Sequence, residues 1–152
     1  MEPVNTRVRT EAAEAAVTTA DFAAAVRHFL VQQPRQLPSR FLYDPLGSAL
    51  FDAICQLPWY RVTAGETRLL TQHGGALVSR LKPLARIVEL GAGNGDKLAA
   101  ILSAAPARTT PLDLDLIDIS PAALATASRA LSAFDQVRVF AHESSYEAGL
   151  QR

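Results

Sequence analysis

A run of closely spaced glycines constrains this chain more than any other feature. Gly91, Gly93 and Gly95 alternate with single residues directly after Arg86–Leu90, a segment with the pattern of a short buried strand. A helical pattern follows from about residue 96 to 105. Glycine has no side chain, so such a turn lets a ligand approach the backbone, and the following helix start offers free N–H groups. A strand, a glycine turn and a helix in this order predict a ligand-binding α/β unit.

The residues after the loop extend this unit into a sheet. Residues 112–117 alternate like a strand, and Asp118 stands at its carboxyl end. Ser120-Pro121 is a strong helix start, with serine as the N-cap and proline at the first helical position. After that helix, residues 137–141 form a third strand pattern. Strand, helix, strand, helix, strand predicts half of a doubly wound, Rossmann-like parallel sheet with right-handed crossovers.

The glycine spacing and Asp118 together narrow the class of ligand. The glycines stand at 91, 93 and 95, whereas the dinucleotide fingerprint would need the third at 96. Asp118 is placed to accept hydrogen bonds from ribose hydroxyls. With Glu89 two residues before the first glycine, the pattern resembles motif I of class I methyltransferases that use S-adenosylmethionine (SAM). A nicotinamide-dependent oxidoreductase stays as an alternative, because it shares the strand, glycine loop, helix and acid.

The first 80 residues have a different, mostly helical character. Residues 1–20 are polar and alanine-rich with little periodicity, which predicts a loose arm. Three helices are predicted, beginning near Asp21 as N-cap, near Ser48 and near Ala64, and Gly74-Gly75 should weaken the centre of the third. The expected organisation is an arm over 1–20, a helical segment contributing to the cavity over 21–80, and the front half of a SAM-binding domain over 81–152.

Two segments of the helical part carry a specific family resemblance. Residues 41–51 read Phe-Leu-Tyr-Asp-Pro-Leu-Gly-Ser-Ala-Leu-Phe, and residues 57–60 read Leu-Pro-Trp-Tyr, followed by Thr63 and Glu66. Both resemble segments of the histidine Nα-methyltransferases of ergothioneine synthesis. The glycine loop and Ile117-Asp118-Ile119-Ser120 then follow in that family's order and approximate spacing. The resemblance covers roughly residues 20–150.

The resemblance implies a SAM-dependent enzyme that trimethylates the α-amine of histidine to give hercynine, the precursor of ergothioneine. Lys97 would contact the cofactor, Asp118 would bind its ribose, and Glu89 would help fix the loop and the methionine amine. No general base is assigned. The implied cofactor-binding residues are Glu89, Gly91, Gly93, Gly95, Lys97 and Asp118, and the residues implied to line the cavity are Tyr43 and Tyr60.

The chain also departs from that family's pattern. Arg61 stands where members usually have a second tyrosine, and Ala64 where they have an arginine. The family's glycine-aspartate-phenylalanine after the third strand, whose aspartate lies near the adenine, is replaced by His142-Glu143-Ser144-Ser145-Tyr146, so no adenine contact is assigned. The sequence also predicts three strands, whereas the sheet of such a methyltransferase has about seven. We therefore expect either a fragment, inactive alone, or a fold completed by another chain.

Composition excludes several other classes of function. The formal net charge is zero, which gives no electrostatic footprint for nucleic acid or for an anionic membrane. A single cysteine, Cys55, provides neither a disulfide nor a cysteine-based metal site, and the three histidines lack metal-ligand spacing. No signal peptide or membrane span is expected, so we predict a cytoplasmic protein without a metal. The remaining alternative is a non-catalytic, truncated paralogue that binds a partner.

Overall fold

The computed structural model describes residues 7–8, 18–81, 85–106 and 110–151 of the 152-residue chain. A 3-10 helix over Ser39–Leu42 separates the first two helices. The strands are β1 (Arg7–Val8), β2 (Arg86–Leu90), β3 (Leu112–Asp118) and β4 (Val137–Glu143). The helices are α1 (Thr19–Phe29), α2 (Pro45–Cys55), α3 (Arg61–Arg80), α4 (Asp96–Ala104), α5 (Pro121–Leu131) and α6 (Tyr146–Leu150).

All strand pairs in the sheet are parallel, and their spatial order is β1-β4-β3-β2. The α4 and α5 helices connect the three long strands, which confirms the predicted α/β, Rossmann-like alternation. Because the strands run in parallel, the ends of β2, β3 and β4 meet at one edge of the sheet. Arg7–Val8 pairs with Phe140–Ala141, so this part of the predicted loose arm is a short strand; residues 1–6 and 9–17 of the arm lie outside the described residues.

The two faces of β3 have opposite chemical character. Leu112, Leu114 and Leu116 are buried in an apolar core with residues of α4, α5 and β4. Asp113 and Asp115 alternate with them and point to the other face, since successive side chains of a strand point to opposite sides. That alternation places the apolar core of the described sheet on the side of α4 and α5.

Charged side chains from three strands pair on the second face. Asp115 contacts Arg86 Nη1 at 2.9 Å and His142 Nε2 at 2.8 Å, and Asp113 contacts Arg138 Nε at 2.7 Å. The isolated His142 of the sequence is therefore a half-buried partner of a carboxylate. These pairs align the strands, because each joins neighbouring strands across the ladder.

Strand β2 differs from its predicted buried state. Val88 is 47% exposed and Leu90 is 42% exposed. Within the described residues β2 pairs with β3 alone, which leaves its other edge uncovered. Val88 and Leu90 alternate with Ile87, which packs against the apolar core, so the exposed side chains lie on the opposite face of β2.

Helix starts follow capping chemistry that periodicity alone did not locate. The N-cap of α1 is Thr18, and Asp21 completes a capping box as the third helical residue instead of capping the helix itself. The α2 helix begins at Pro45, ahead of the predicted Ser48, because Asp44 caps it by accepting from the Gly47 N–H at 2.6 Å. Ser120 caps α5 as predicted.

Gly74 and Gly75 lie inside an uninterrupted α3 and face α4. A Cβ on Gly75 would overlap the carbonyl oxygen of Ala104, and one on Gly74 would lie 3.1 Å from the Ile101 Cα. The pair, predicted to weaken the helix, instead allows the two helix backbones to approach closely. This packing fixes α3 against the carboxyl-terminal half of α4.

Candidate functional site

The glycine loop between β2 and α4 adopts a backbone that only glycine tolerates well. Gly91, Gly93 and Gly95 have φ values of 75°, 52° and 85°. A Cβ added to Gly93 would meet nothing within 4 Å, whereas one on Gly95 would lie 3.0 Å from the Ala127 Cα. Gly95 therefore serves packing against α5, and Gly93 presents open backbone on which a ligand can lie.

The Asp118 carboxylate, at the end of β3, holds this loop. Its Oδ2 accepts from the Gly93 N–H at 3.1 Å, and its Oδ1 accepts from the Ser120 N–H at 2.9 Å. The residue is buried, with 9% of its surface exposed. A carboxylate offers about four acceptor positions, so two remain for hydroxyl donors of a ligand. Asp118 thus combines loop support with capacity for the predicted ribose contact.

Glu89, the second-last residue of β2 before the loop, carries a buried oxygen without a partner. Oε2 is enclosed and accepts no hydrogen bond. Burial raises the pKa of Glu89 to about 7; Lys97 opposes the rise, and Asp118 and Glu66 add to it. A buried, unpaired carboxylate oxygen is costly unless a donor reaches it, and an ammonium group of a ligand would be such a donor.

Lys97, in the first turn of α4, pairs with a residue of α3. Its Nζ lies 2.8 Å from Oε2 of Glu66, and both side chains are about half-exposed. The ammonium therefore stands at the rim of the loop and is tied to the helical segment. Glu66 was part of the family-like sequence segment, but no role had been expected for it.

A cleft of about 850 Å³ separates α2 and α3 from the glycine loop and α4. This volume is within the range of small-molecule sites. Of the predicted site residues, Tyr60, Gly91, Gly93 and Lys97 line it. Glu89, Gly95 and Asp118 are not on its wall, and Asp118 is connected to it through the hydrogen bond to Gly93.

The two predicted cavity tyrosines differ in their placement. Tyr60 occupies the N-cap position of α3, without a capping hydrogen bond from its side chain, and packs edge-on against Phe51 with ring centroids 6.3 Å apart. Tyr43 follows the 3-10 helix, is 50% exposed and does not line the cleft. Phe51 does line the cleft, and the sequence indicated it only as the last residue of the family-like segment 41–51.

Tyr146 and Ser144 are site neighbours that no sequence argument identified. A Cβ on Gly91 would lie 2.5 Å from the Tyr146 hydroxyl, so this phenol covers the first glycine. Burial raises the pKa of Tyr146, and the nearby Asp118 and Tyr43 add to the rise. The Ser144 hydroxyl is buried without a partner. Their position directly after β4, beside the ends of β2 and β3, is the sequence signal that could have identified them.

The described residues contain neither a metal-binding cluster nor a membrane-spanning helix. No group of three or more His, Cys, Asp or Glu side chains in the described ranges is arranged to hold a metal ion. In the same part of the chain, every helix is too short or too polar to cross a bilayer.

Comparison with known proteins gives a consistent family. A family model described as histidine-specific methyltransferase, SAM-dependent, matches residues 22–152. Ergothioneine biosynthesis protein 1 of Neurospora crassa is 31% identical over 116 residues, which are 76% of this chain and 13% of that protein. The histidine N-alpha-methyltransferase of Mycobacterium tuberculosis is 34% identical over 101 residues, covering 63% of this chain and 31% of that protein.

A further relative carries a different acceptor in its name. The 4-dimethylallyltryptophan N-methyltransferase of Claviceps purpurea is 27% identical over 124 residues, which are 80% of this chain and 36% of that protein. The chain thus spans between 13% and 36% of the length of these three relatives.

Proposed function

This chain belongs to the histidine-specific, SAM-dependent methyltransferase family, and from that premise we propose that it supplies the SAM-binding part of an amino-acid N-methyltransferase acting on the α-amine of histidine. The observation that carries the proposal is the arrangement at the end of β2. Three left-handed glycines there lie beside an unpaired, buried carboxylate oxygen of Glu89. SAM carries an ammonium group that such an oxygen would bind.

The residues of the site fit the chemical groups of SAM. Glu89 would accept from the ammonium of the methionine part, Lys97 would face its carboxylate, and Asp118 would accept from ribose hydroxyls. Gly93 has the open space that a ligand on the loop backbone needs. We propose these roles from the charges and hydrogen-bonding capacity of the side chains.

The contribution of the protein to methyl transfer is mainly alignment. SAM brings a methyl group that is already activated on a sulfonium, so the acceptor needs a lone pair and an in-line approach. A free α-amino group titrates near pH 8 or above, and its neutral minority at pH 7 is nucleophilic. The cleft between α2, α3 and the loop is where we propose the acceptor lies, with Tyr60 and Phe51 on its wall.

Histidine is the proposed acceptor, although the start of α3 departs from the family's sequence at two positions. Arg61 and Ala64 replace a tyrosine and an arginine, and Ala64 lines the cleft. The relative named for 4-dimethylallyltryptophan makes a bulkier amino acid the second candidate. Cytoplasmic location remains part of the proposal, on the ground of a single cysteine.

Cofactor binding is tested by calorimetry with SAM, and with NAD as the competing ligand. We expect a saturable isotherm for SAM alone, and binding of NAD in preference to SAM would contradict the proposal. Acceptor identity is tested with SAM labelled on its methyl group, offered with histidine or with 4-dimethylallyltryptophan. Mass spectrometry should locate the label on the histidine α-nitrogen, and label on the tryptophan derivative alone would replace histidine as acceptor.

The rate of that reaction is a separate expectation. Tyr43, one of the two predicted cavity tyrosines, is 50% exposed and does not line the cleft, so the acceptor has one predicted contact fewer. We expect the 152-residue chain to turn over well below the order of 1 per second that is usual for enzymes. Turnover at or above that rate would show that these residues already hold the acceptor.

A further inference from the structure

One lysine and two carboxylates meet where α3, β2 and α4 converge. The Lys97 ammonium lies 2.8 Å from Glu66, while the buried Oε2 of Glu89 has no partner. The charge of Lys97 nevertheless acts on Glu89, which places the two groups within electrostatic reach. The lysine therefore pairs with the half-exposed carboxylate and leaves the buried one open.

We propose that Glu66 is a positioning residue that holds Lys97 on α3 and thereby keeps the inner oxygen of Glu89 free for the ammonium group of the cofactor. This inference rests on the proposed function, because it takes SAM as the ligand that meets Glu89. It assigns Glu66 a role through Lys97 and no direct contact with the cofactor.

The physical argument begins with the flexibility of lysine. Its ammonium sits on a four-carbon stem with many rotamers, and it is attracted to whichever carboxylate lies nearest. Without Glu66, the carboxylates that remain around this cluster include Glu89, Asp118 and the adjacent Asp96, which accepts from the Asn94 amide. Asp118 already accepts two backbone hydrogen bonds, whereas Glu89 has an empty acceptor position. Lys97 would then turn toward Glu89 and occupy the place of the ligand's ammonium.

The two charged groups of the ligand explain why this arrangement matters for binding. SAM carries both an ammonium and a carboxylate on its methionine part, so a site needs one acceptor and one donor held apart. If Lys97 and Glu89 paired with each other, each would neutralise the other, and both ligand groups would lose a partner. Glu66 prevents that pairing by supplying a competing carboxylate on a different helix.

The first test measures SAM affinity in a double-mutant cycle. Glu66→Gln should weaken SAM binding about threefold to fivefold, the size of a half-exposed ion pair. In a Lys97→Met background the same Glu66→Gln change should have no further effect, because there is no ammonium left to position. Arg80→Gln is the control: it removes a charge from the same helix about 21 Å away and should leave affinity unchanged. An equal loss with and without Lys97 would overturn the proposal.

The second test needs no SAM and separates this inference from the proposed function. Titration of Glu89 by carbon-13 NMR of its carboxyl carbon reports which groups face it: Lys97 from α4, Asp118 from β3 and Glu66 from α3. We expect Glu66→Gln to lower the Glu89 midpoint by about one pH unit, worth 1.36 kcal/mol, because a carboxylate that raises it is lost and Lys97 moves toward it. In the Lys97→Met background only the loss of the carboxylate remains, so the fall should be clearly smaller, and an equal fall would overturn the proposal. An unchanged Glu89 midpoint would mean that Glu66 only links α3 to α4, and it would overturn the proposal. A lowered midpoint in a chain that binds no SAM would instead sink the proposed cofactor.

Discussion

Asp118 offers the sharpest test of how the glycine loop is built, because its two oxygens each accept one backbone hydrogen bond. Asp118→Ala removes the partner of the Gly93 N–H and of the Ser120 N–H. Ser120 is 3% exposed, so water does not readily replace the carboxylate there. Hydrogen bonds to a charged group contribute roughly 1.5–3 kcal/mol each. We expect the free energy of unfolding to fall by about 3 kcal/mol, since the Gly93 side is closer to solvent.

Asp118→Asn refines that prediction. The amide retains one acceptor oxygen but presents NH₂ to the other backbone N–H, so one hydrogen bond is kept and one becomes a donor–donor contact. We expect a loss between that of the alanine variant and zero. Asp135→Asn, on an exposed loop before β4, is the matched control and should stay within about 0.5 kcal/mol of the wild type.

Two measurements decide the outcome. Urea unfolding followed by circular dichroism gives the stability change, and calorimetry gives the SAM affinity of each variant. Loss of the proposed ribose contact should weaken SAM binding by about tenfold to a hundredfold, from the same energy per charged hydrogen bond. Stability within 0.5 kcal/mol of wild type for Asp118→Ala would refute the role in the loop, and unchanged SAM affinity would refute the ribose assignment.

Three other predictions follow from the same geometry. Gly93→Val should reduce SAM affinity, measured by calorimetry, more than Lys97→Ala does. A β-branched side chain is strained at a φ of 52° and fills the space through which the ligand approaches. A larger loss of affinity for the lysine variant would contradict the loop geometry. Glu89→Gln should match wild-type stability at pH 4 and exceed it by about 1.5 kcal/mol at pH 8 in urea unfolding. The pKa of Glu89 is raised to about 7, so its stabilising protonated form is lost as pH rises from 4.5 through 7, and solvent screens about half of this effect. A stability difference between Glu89→Gln and wild type that does not change with pH would refute this. Gly75→Ala should lower the melting temperature by overlap with α4, whereas Gly65→Ala, with nothing within 4 Å, should stabilise α3 by about 0.5–1 kcal/mol; equal effects would show that close helix packing is not the reason for Gly75.

Local signals were sufficient to predict the three long strands of the sheet and the two helices between them, but not the short strand β1. Ser120-Pro121 marked the start of α5, and the glycine loop marked the point where β2 turns into α4. These features work through neighbouring residues, because a cap or a left-handed turn is decided within a few positions. Family-like segments in the first 80 residues likewise predicted the family that the comparisons then showed.

The sequence did not predict the contacts between segments that are distant along the chain. Nothing local indicates that Asp118 accepts from Gly93, that Glu66 holds Lys97, or that Tyr146 covers Gly91. Each of these joins different elements, and their meeting depends on strand order and on the approach of α3 to α4. The sequence determined which residues could form a SAM loop. Tertiary packing decided which carboxylate binds the lysine and which stays buried and unpaired, because burial and partner distance are properties of the assembled fold.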